Sequence, residues 1–260
     1  MQFPFEVSHA KSEPKACAMI LAAGRGERMR PLTDHTPKPL LAVRGKPLMQ
    51  WPMEALVRAG FAHILINTAW LGECIQGHYG RSSPLQGIGV AHLRYSDEAQ
   101  DFGYALETAG GISRALPHLA EVFWVVAGDV FVPEFEFKPQ ALAQLIASDQ
   151  LAHLWLVPNP PHNPLGDFGL SDQGLALNLT PNASPSTQAR YTFSTIALYR
   201  RAFFERPYCD IVPGNPQGTA APLAPLLRAA MDRGQVGASL YTGPWTDVGT
   251  PERLAQLNAV

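Results

Sequence analysis

Cysteine, charge and long apolar runs are all scarce in this 260-residue chain, and each shortage excludes something. Only Cys17, Cys74 and Cys209 occur, widely spaced and with no CxxC pair. Such a set builds neither a disulfide framework nor a thiolate metal site, and reads as incidental thiols of a reducing compartment. No stretch approaches the roughly 20 apolar residues of a membrane span. Residues 1–16 are mixed and polar and lack the apolar core of a secretory leader. Charged residues make up 16%, with a net charge of −2 and a pI near 6.4, so the overall charge does not invite a nucleic acid. The expectation is a soluble cytoplasmic protein with no nucleic acid and no membrane among its partners. Two common phosphate cradles are also missing. No Gly-Lys-Ser/Thr completes a Walker-A sequence, and Met29 stands where GxGxxG needs its last glycine. No Ser/His/Asp or Cys/His arrangement stands out.

What is present is concentrated early. Hydrophobic content of 46% over this length suits one large core. The stretch Met19–Leu40 opens as a buried strand, Ala18-Met19-Ile20-Leu21, and falls into the small residues Ala22-Ala23-Gly24. Gly24 and Gly26 lack a Cβ, so backbone N–H groups can approach a ligand there, although a GxG after a strand also serves simple steric needs. From Arg25 to Lys46, four Arg and two Lys face only Glu27 and Asp34, a local excess of positive charge in an acidic chain. Arg28 offers a planar fork to phosphate oxygens and Lys38 a movable point charge. Strand, glycine turn and charge together point to an anion site.

Further along, strands and helices alternate. Pro37 and Pro39 imply an extended segment over 36–40, and Gly45-Lys46-Pro47 a turn. A helix is expected from about 48 to 59, a strand over 61–67, a helix after Gly72 and a strand near 88–95. Asp97–Gly103 reads as a mobile polar loop, and Leu106–Ile112 opens another helix. Phe123–Ala127 is a fully apolar run, the mark of a central parallel strand covered on both faces. Gly128-Asp129 closes it, which places an acid where open α/β sheets bind ligands, or where an Asp caps the next element. A helix over 139–148 would turn Leu142, Leu145 and Ile146 inward, and His153–Val157 returns as a strand. Beyond Pro158 the texture becomes Pro-, Asn- and Ser-rich, with a strand at 191–199 and an amphipathic helix over 222–233 stopped by Gly234. Thr250 caps a last helix with Pro251 at its first position. The alternation argues for a doubly wound, mostly parallel α/β sheet of Rossmann-like type, with a smaller β/loop elaboration in the second half.

The long motif L-A-A-G-R-G-E-R-M-R-P-L-T…P-K-P-L resembles the N-terminal signature of the sugar-1-phosphate nucleotidylyltransferases. Its Glu27 variant looks most like the bacterial N-acetylmuramate 1-phosphate uridylyltransferase branch. Further likenesses to that branch are Asn67, Ala69-Trp70-Leu71-Gly72, the ETAGG loop, Gly-Asp-Val, Gly-Asp-Phe, Phe193-Ser194, LAPLLR and the WTDVGT ending. The resemblance implies a single nucleotidyltransferase domain over 16–260 behind a loose extension at 1–15. Residues 16–135 would form its nucleotide-binding half and 136–260 its sugar-phosphate half. It implies Mg²⁺ held by Asp129 and Asp247, with Arg28, Lys38 and Asp129 catalytic. Ala23, Gly24, Gly26, Glu27, Arg28, Lys38, Thr108, Gly110 and Ala127 would contact the nucleotide. Asp167 and Ser194 would contact the sugar phosphate, although a turn-capping Asp and close-packed glycines read equally well at 167 and at 110–111. The implied partners are a nucleoside triphosphate, most like UTP, and a sugar 1-phosphate, most like N-acetylmuramate 1-phosphate, as in peptidoglycan recycling. Guanylyl transfer to mannose 1-phosphate and cytidylyl transfer to phosphocholine are the neighbouring chemistries. A non-catalytic sensor of sugar nucleotides is the rival of another class. Ala127 departs from the branch, which carries Asn before Gly-Asp, and Tyr208–Ala221 looks longer than its counterpart.

Overall fold

In the computed structural model, residues 14–179 and 189–259 are described. The extension expected at 1–15 falls outside them except for Pro14 and Lys15. Strand β1 (Ala16–Ala22) leads to three single 3-10 turns, at Glu27–Met29, Leu32–Asp34 and Lys38–Leu40. A small hairpin, β2 (Ala42–Val43) and β3 (Lys46–Pro47), precedes helix α1 (Gln50–Arg58) and β4 (His63–Thr68). Then come α2 (Gly72–Tyr79), β5 (Ser82–Leu85), β6 (Gly89–Asp97), α3 (Glu98–Phe102) and α4 (Glu107–Ala115). Strands β7 (Leu119–Ala127) and β8 (Val130–Phe131) are followed by α5 (Pro139–Ala147) and β9 (Ala152–Val157). The last third holds β10 (Phe168–Leu170), β11 (Ala176–Leu177) and the long β12 (Arg190–Arg200). It ends with α6 (Leu223–Met231), β13 (Val236–Leu240), β14 (Thr246–Asp247) and α7 (Pro251–Asn258).

Ten strands form one mixed sheet in the order β11-β10-β12-β7-β1-β4-β6-β5, with β9 on β12 and β13 on β9. Its centre, β7-β1-β4-β6, is parallel, as the apolar runs of β1, β4 and β7 require when both faces are covered. One edge of β7 breaks the pattern: β12 pairs with it antiparallel, Ile196 opposite Val126, and carries β9 beyond. On one face, Met19, Phe123, Val125 and Tyr199 pack under α4 and α6. On the other, Trp124 is ringed by Phe135, Phe137 and Trp155, with Met53 and Leu56 of α1 in the same core. A third, smaller cluster of Met29, Leu41, Val43, Leu48, Phe131 and Val248 sits apart from both.

Several local expectations are corrected. Residues 98–102 form α3 where a polar loop over 97–103 was expected: Asp97 caps it by accepting the Gln100 N–H at 2.9 Å, and Gly103 closes it at φ 80°. The polar composition hid a fully buried Glu98. Residues 36–40 are extended only at Pro37, with Lys38–Leu40 wound into a 3-10 turn. The hairpin turn falls on Arg44 and Gly45, both at positive φ, while Lys46 and Pro47 already belong to β3. In α5, Leu145 points inward but Ile146 is 54% exposed.

His153 on β9 packs beside Trp155 with Nε2 2.9 Å from the Ser239 hydroxyl, and burial pushes its pKa down to about 4. The folded chain therefore favours the neutral ring. That contribution is complete above about pH 6.5 and fades as pH falls towards 4, by up to about 3 kcal/mol. His153→Gln is expected to shrink the difference between urea midpoints measured at pH 7 and pH 4. An unchanged difference would assign the acid sensitivity to other groups.

Candidate functional site

The glycine loop leaves the carboxyl end of β1 and wraps a cleft of about 310 Å³ lined by Gly24, Gly26, Arg28, Lys38, Asp129 and Gly249, among others. Its two glycines do different work. Gly26 has φ 66°, and a Cβ there would lie 3.1 Å from Thr33 Cγ2 and 3.2 Å from Lys38 Cβ. Its carbonyl accepts from the Thr33 hydroxyl at 2.9 Å and from the Met29 N–H at 2.9 Å, which shapes the loop. Gly24 has open space where its Cβ would be, so its backbone is left bare towards the cleft. The loop is anchored at Ala22, whose N–H donates to Asn67 Oδ1 at 3.1 Å. Asn67 in turn donates to buried Glu98 at 2.8 Å, and Glu98 accepts the Leu106 N–H at 2.7 Å. Burial raises the Glu98 pKa against the pull of those hydrogen bonds.

Asp129 and Asp247 are brought together by backbone pairing. β8 and β14 form an antiparallel ribbon with Asp247 opposite Val130, and the Val248 N–H donates to Asp129 O at 3.2 Å. Gly128 sets Asp129 against β1: its N–H donates to Leu21 O at 2.8 Å, and a Cβ would lie only 3.0 Å from that oxygen. Lys38, buried on its 3-10 turn, places Nζ 2.6 Å from Asp129 Oδ2 and 3.9 Å from Asp247 Oδ1. Those two oxygens are thus no further apart than the two lengths laid end to end. Arg28 is exposed and has no ion pair or hydrogen bond among the described residues; its Nη2 would lie 3.3 Å from a Cβ on Gly249. Arg28, Lys38 and Asp129 line one cleft, and Asp247 stands beside it within reach of Lys38.

The site also contains residues that the sequence did not flag. Arg253 of α7 donates from Nη1 to Asp247 Oδ2 at 2.8 Å and to Asp247 O at 2.9 Å, fixing the carboxylate's orientation. His162 lies 3.6 Å from the same oxygen, and its pKa is lowered by desolvation and by Arg253 and Arg28, against Asp247. Two hard oxygen donors side by side suit a Mg²⁺ ion, which characteristically takes one or two carboxylates and completes its shell with phosphate oxygens and water. Asp129 and Asp247 would hold it, and its charge would offset that of a triphosphate.

A second cleft of about 520 Å³ adjoins the first through Leu21, which lines both. Sheet residues Leu21, Val125, Ala197 and Tyr199 line it together with α4, α6, Phe193 and Asp167-Phe168. Thr108 faces it from α4. Gly110 is buried instead against the backbone of Thr219 and Ala221, so its missing Cβ serves helix-to-loop packing. Ala127 is buried in β7 opposite Leu21, and Glu27 is exposed beside Arg25. Asp167 accepts from the Phe193 N–H at 2.8 Å and from Asn163 Nδ2 at 3.2 Å, which holds the loop while the residue borders the cleft. Ser194 needs a correction: its hydroxyl is fully buried and donates to Trp155 O at 2.6 Å, away from the cleft. Thr195, at φ 64° within the irregular pairing between Phe193 and Ile196, lines the cleft with Phe193, Ala197 and Tyr199, so Ser194 falls on the opposite face of β12. Glu107 of the ETAGG loop and Arg228 of LAPLLR also line this cleft, residues inside quoted motifs for which the sequence suggested no contact.

Residues 17–260 match the family described as nucleotidyl transferase. The N-acetylmuramate alpha-1-phosphate uridylyltransferase of Neisseria meningitidis serogroup B is 45% identical over 249 residues, covering 94% of this chain and 97% of its own. A protein of the same name from Caulobacter vibrioides is 37% identical over 125 residues, 48% of this chain and 47% of its own. Among solved structures, HddC from Yersinia pseudotuberculosis, complexed with GMP-PN, has a TM-score of 0.67 at 17% identity, covering 93% of this chain and 97% of its own, a likeness of fold.

The two loop glycines are expected to separate experimentally. Gly26→Ala should cost about 1–2 kcal/mol in urea unfolding through left-handed strain. Gly24→Ala should unfold like the parent yet bind a nucleoside triphosphate about tenfold more weakly by calorimetry, each tenfold being worth about 1.4 kcal/mol. Undiminished binding by Gly24→Ala would mean that no ligand approaches the bare backbone.

Proposed function

The chain belongs to the nucleotidyl transferase family, and from that premise we propose that it transfers a uridylyl group from UTP to N-acetylmuramate 1-phosphate, releasing pyrophosphate. The observation that carries this reading is the placement of buried Lys38 between Asp129 and Asp247 at the mouth of the glycine loop. The choice of nucleotide and sugar follows the Neisseria relative, which matches this chain almost end to end. All four of Arg28, Lys38, Asp129 and Asp247 are present, as an enzyme needs and a sensor does not. A cytoplasmic setting goes with this substrate, since nucleoside triphosphates are supplied there.

Both reactants are polyanions, so the site has to neutralise charge and align the attack; a phosphate monoester needs no general base at neutral pH. The bare backbone at Gly24 and the unpaired fork of Arg28 receive the β- and γ-phosphates that leave together as pyrophosphate. Mg²⁺, held by Asp129 and Asp247, supplies further neutralisation of the phosphate charge when bound. Lys38 exchanges a carboxylate oxygen for a phosphoryl oxygen at the reacting phosphorus, where charge accumulates in the transition state. Arg253 keeps Asp247 aimed at this point. The sugar lies in the second cleft, and its phosphate reaches the first past Leu21.

Asp129→Asn and Asp247→Asn are expected to lower turnover by at least about 100-fold, the scale of a lost preorganised electrostatic contact. They should also abolish the rise in melting temperature that Mg²⁺ with UTP gives the parent. A full thermal response in both variants would remove the metal assignment.

A panel of four nucleoside triphosphates against N-acetylmuramate, glucose and mannose 1-phosphates and phosphocholine, scored by pyrophosphate release, should give its highest kcat/KM for UTP with N-acetylmuramate 1-phosphate. A preference for GTP with mannose 1-phosphate, or CTP with phosphocholine, would reassign the substrates. Release from none of the pairs would favour the sensor.

A further inference from the structure

We propose that Arg228 reads a carboxylate carried by the sugar, so that the second cleft selects an acidic sugar phosphate over its neutral counterpart. Most of that cleft is apolar, and Arg228 is the one cation among its lining residues. Its guanidinium lies 5.1 Å over the Phe168 ring and donates from Nη1 to Asn178 Oδ1 at 2.7 Å. Asn178 is itself fixed, because its Nδ2 donates to both carboxylate oxygens of Asp232, at 3.0 and 3.2 Å, which turns its carbonyl towards the arginine. The fork is thus oriented before any ligand arrives, by stacking below and a hydrogen bond at one edge.

Arg228 forms no ion pair among the described residues, and Asp167 in the same cleft spends both carboxylate oxygens on Phe193 N–H and Asn163. On the floor, the buried Tyr199 hydroxyl has no hydrogen-bond partner among the described residues. A neutral hexose would leave the half-buried guanidinium without a counterion, which a carboxylate would supply in bidentate form. The reacting phosphate has its own cations, Arg28 and Lys38, in the other cleft. N-acetylmuramate differs from N-acetylglucosamine by a lactyl ether that ends in such a carboxylate. Arg228 can do this only if the second cleft takes the sugar phosphate, as proposed above.

The test compares N-acetylmuramate 1-phosphate with N-acetylglucosamine 1-phosphate, each with UTP, in the parent, Arg228→Gln and Arg228→Lys. For Arg228→Gln, the ratio of the two kcat/KM values should fall about 10- to 100-fold, the span of charge-assisted hydrogen bonds. The fall should come through KM for the muramate, with kcat little altered. Arg228→Lys keeps the charge without the fork and should recover part of the ratio. Melting temperatures of both variants identify any loss that comes from unfolding. A ratio unchanged by Arg228→Gln, whether both substrates weaken alike or neither does, overturns the role of Arg228 and leaves the transfer reaction standing. If the parent itself turns over neither sugar phosphate, the parent reaction is what fails.

Discussion

Lys38 reaches Asp129 at 2.6 Å and Asp247 at 3.9 Å, and those lengths constrain everything around the first cleft. Two carboxylates this close repel unless a cation stands between them, and the ammonium supplies one without a ligand. Lys38 is buried because its turn is pressed beneath Gly26, where a side chain would collide with it. The same glycine frees the loop to curve and seats the lysine. Charge balance and backbone shape therefore depend on each other.

The charged groups gathered around Lys38 are mounted on the smallest of the three cores. Met29 follows Arg28, Val248 follows Asp247, and Phe131 lies two residues beyond Asp129; all three hydrophobics are buried in that cluster. Each polar side chain is thus the visible end of a buried neighbour. Leu41, Val43 and Leu48 complete the cluster from the segment that carries Lys38. The two larger cores flank the sheet and hold its parallel centre, while this third one fixes the four charged groups relative to each other. That division explains how loops, elsewhere the most variable parts of a chain, keep a tight geometry here.

What the sequence revealed was whatever depends on short spacing. The glycine loop, Lys38 and the two acids stood out because each lies within a few residues of a strand end or a fixed motif. The antiparallel entry of β12 beside β7 did not, since an apolar run looks the same whichever direction its neighbour takes. Ser194 was chosen where Thr195 faces the cleft, because a motif likeness was followed over the plain alternation of β12, whose Phe193, Thr195, Ala197 and Tyr199 line the cleft. Arg253 was missed, and Arg228, inside the quoted LAPLLR, was given no role, for a different reason: both sit on helices with ordinary amphipathic patterns, and only the fold shows what their outer ends touch. The polar run at 97–103 concealed a buried carboxyl that ties the glycine loop to α4, and its Asp-capped helix was the signal overlooked.

Helix α7 fully buries none of its residues, yet it steers one of the two acids through Arg253. Leu254 and Leu257 pack it on the third core, and Asn258 ties it to the β2–β3 hairpin by accepting the Arg44 N–H at 2.7 Å and donating to Ala42 O at 3.0 Å. The Arg253–Asp247 ion pair, part-exposed on this helix, is screened in concentrated electrolyte while apolar cores are not. Ionic strength can therefore loosen the grip on Asp247 at concentrations that leave the sheet intact, so that activity and foldedness part company along a salt gradient.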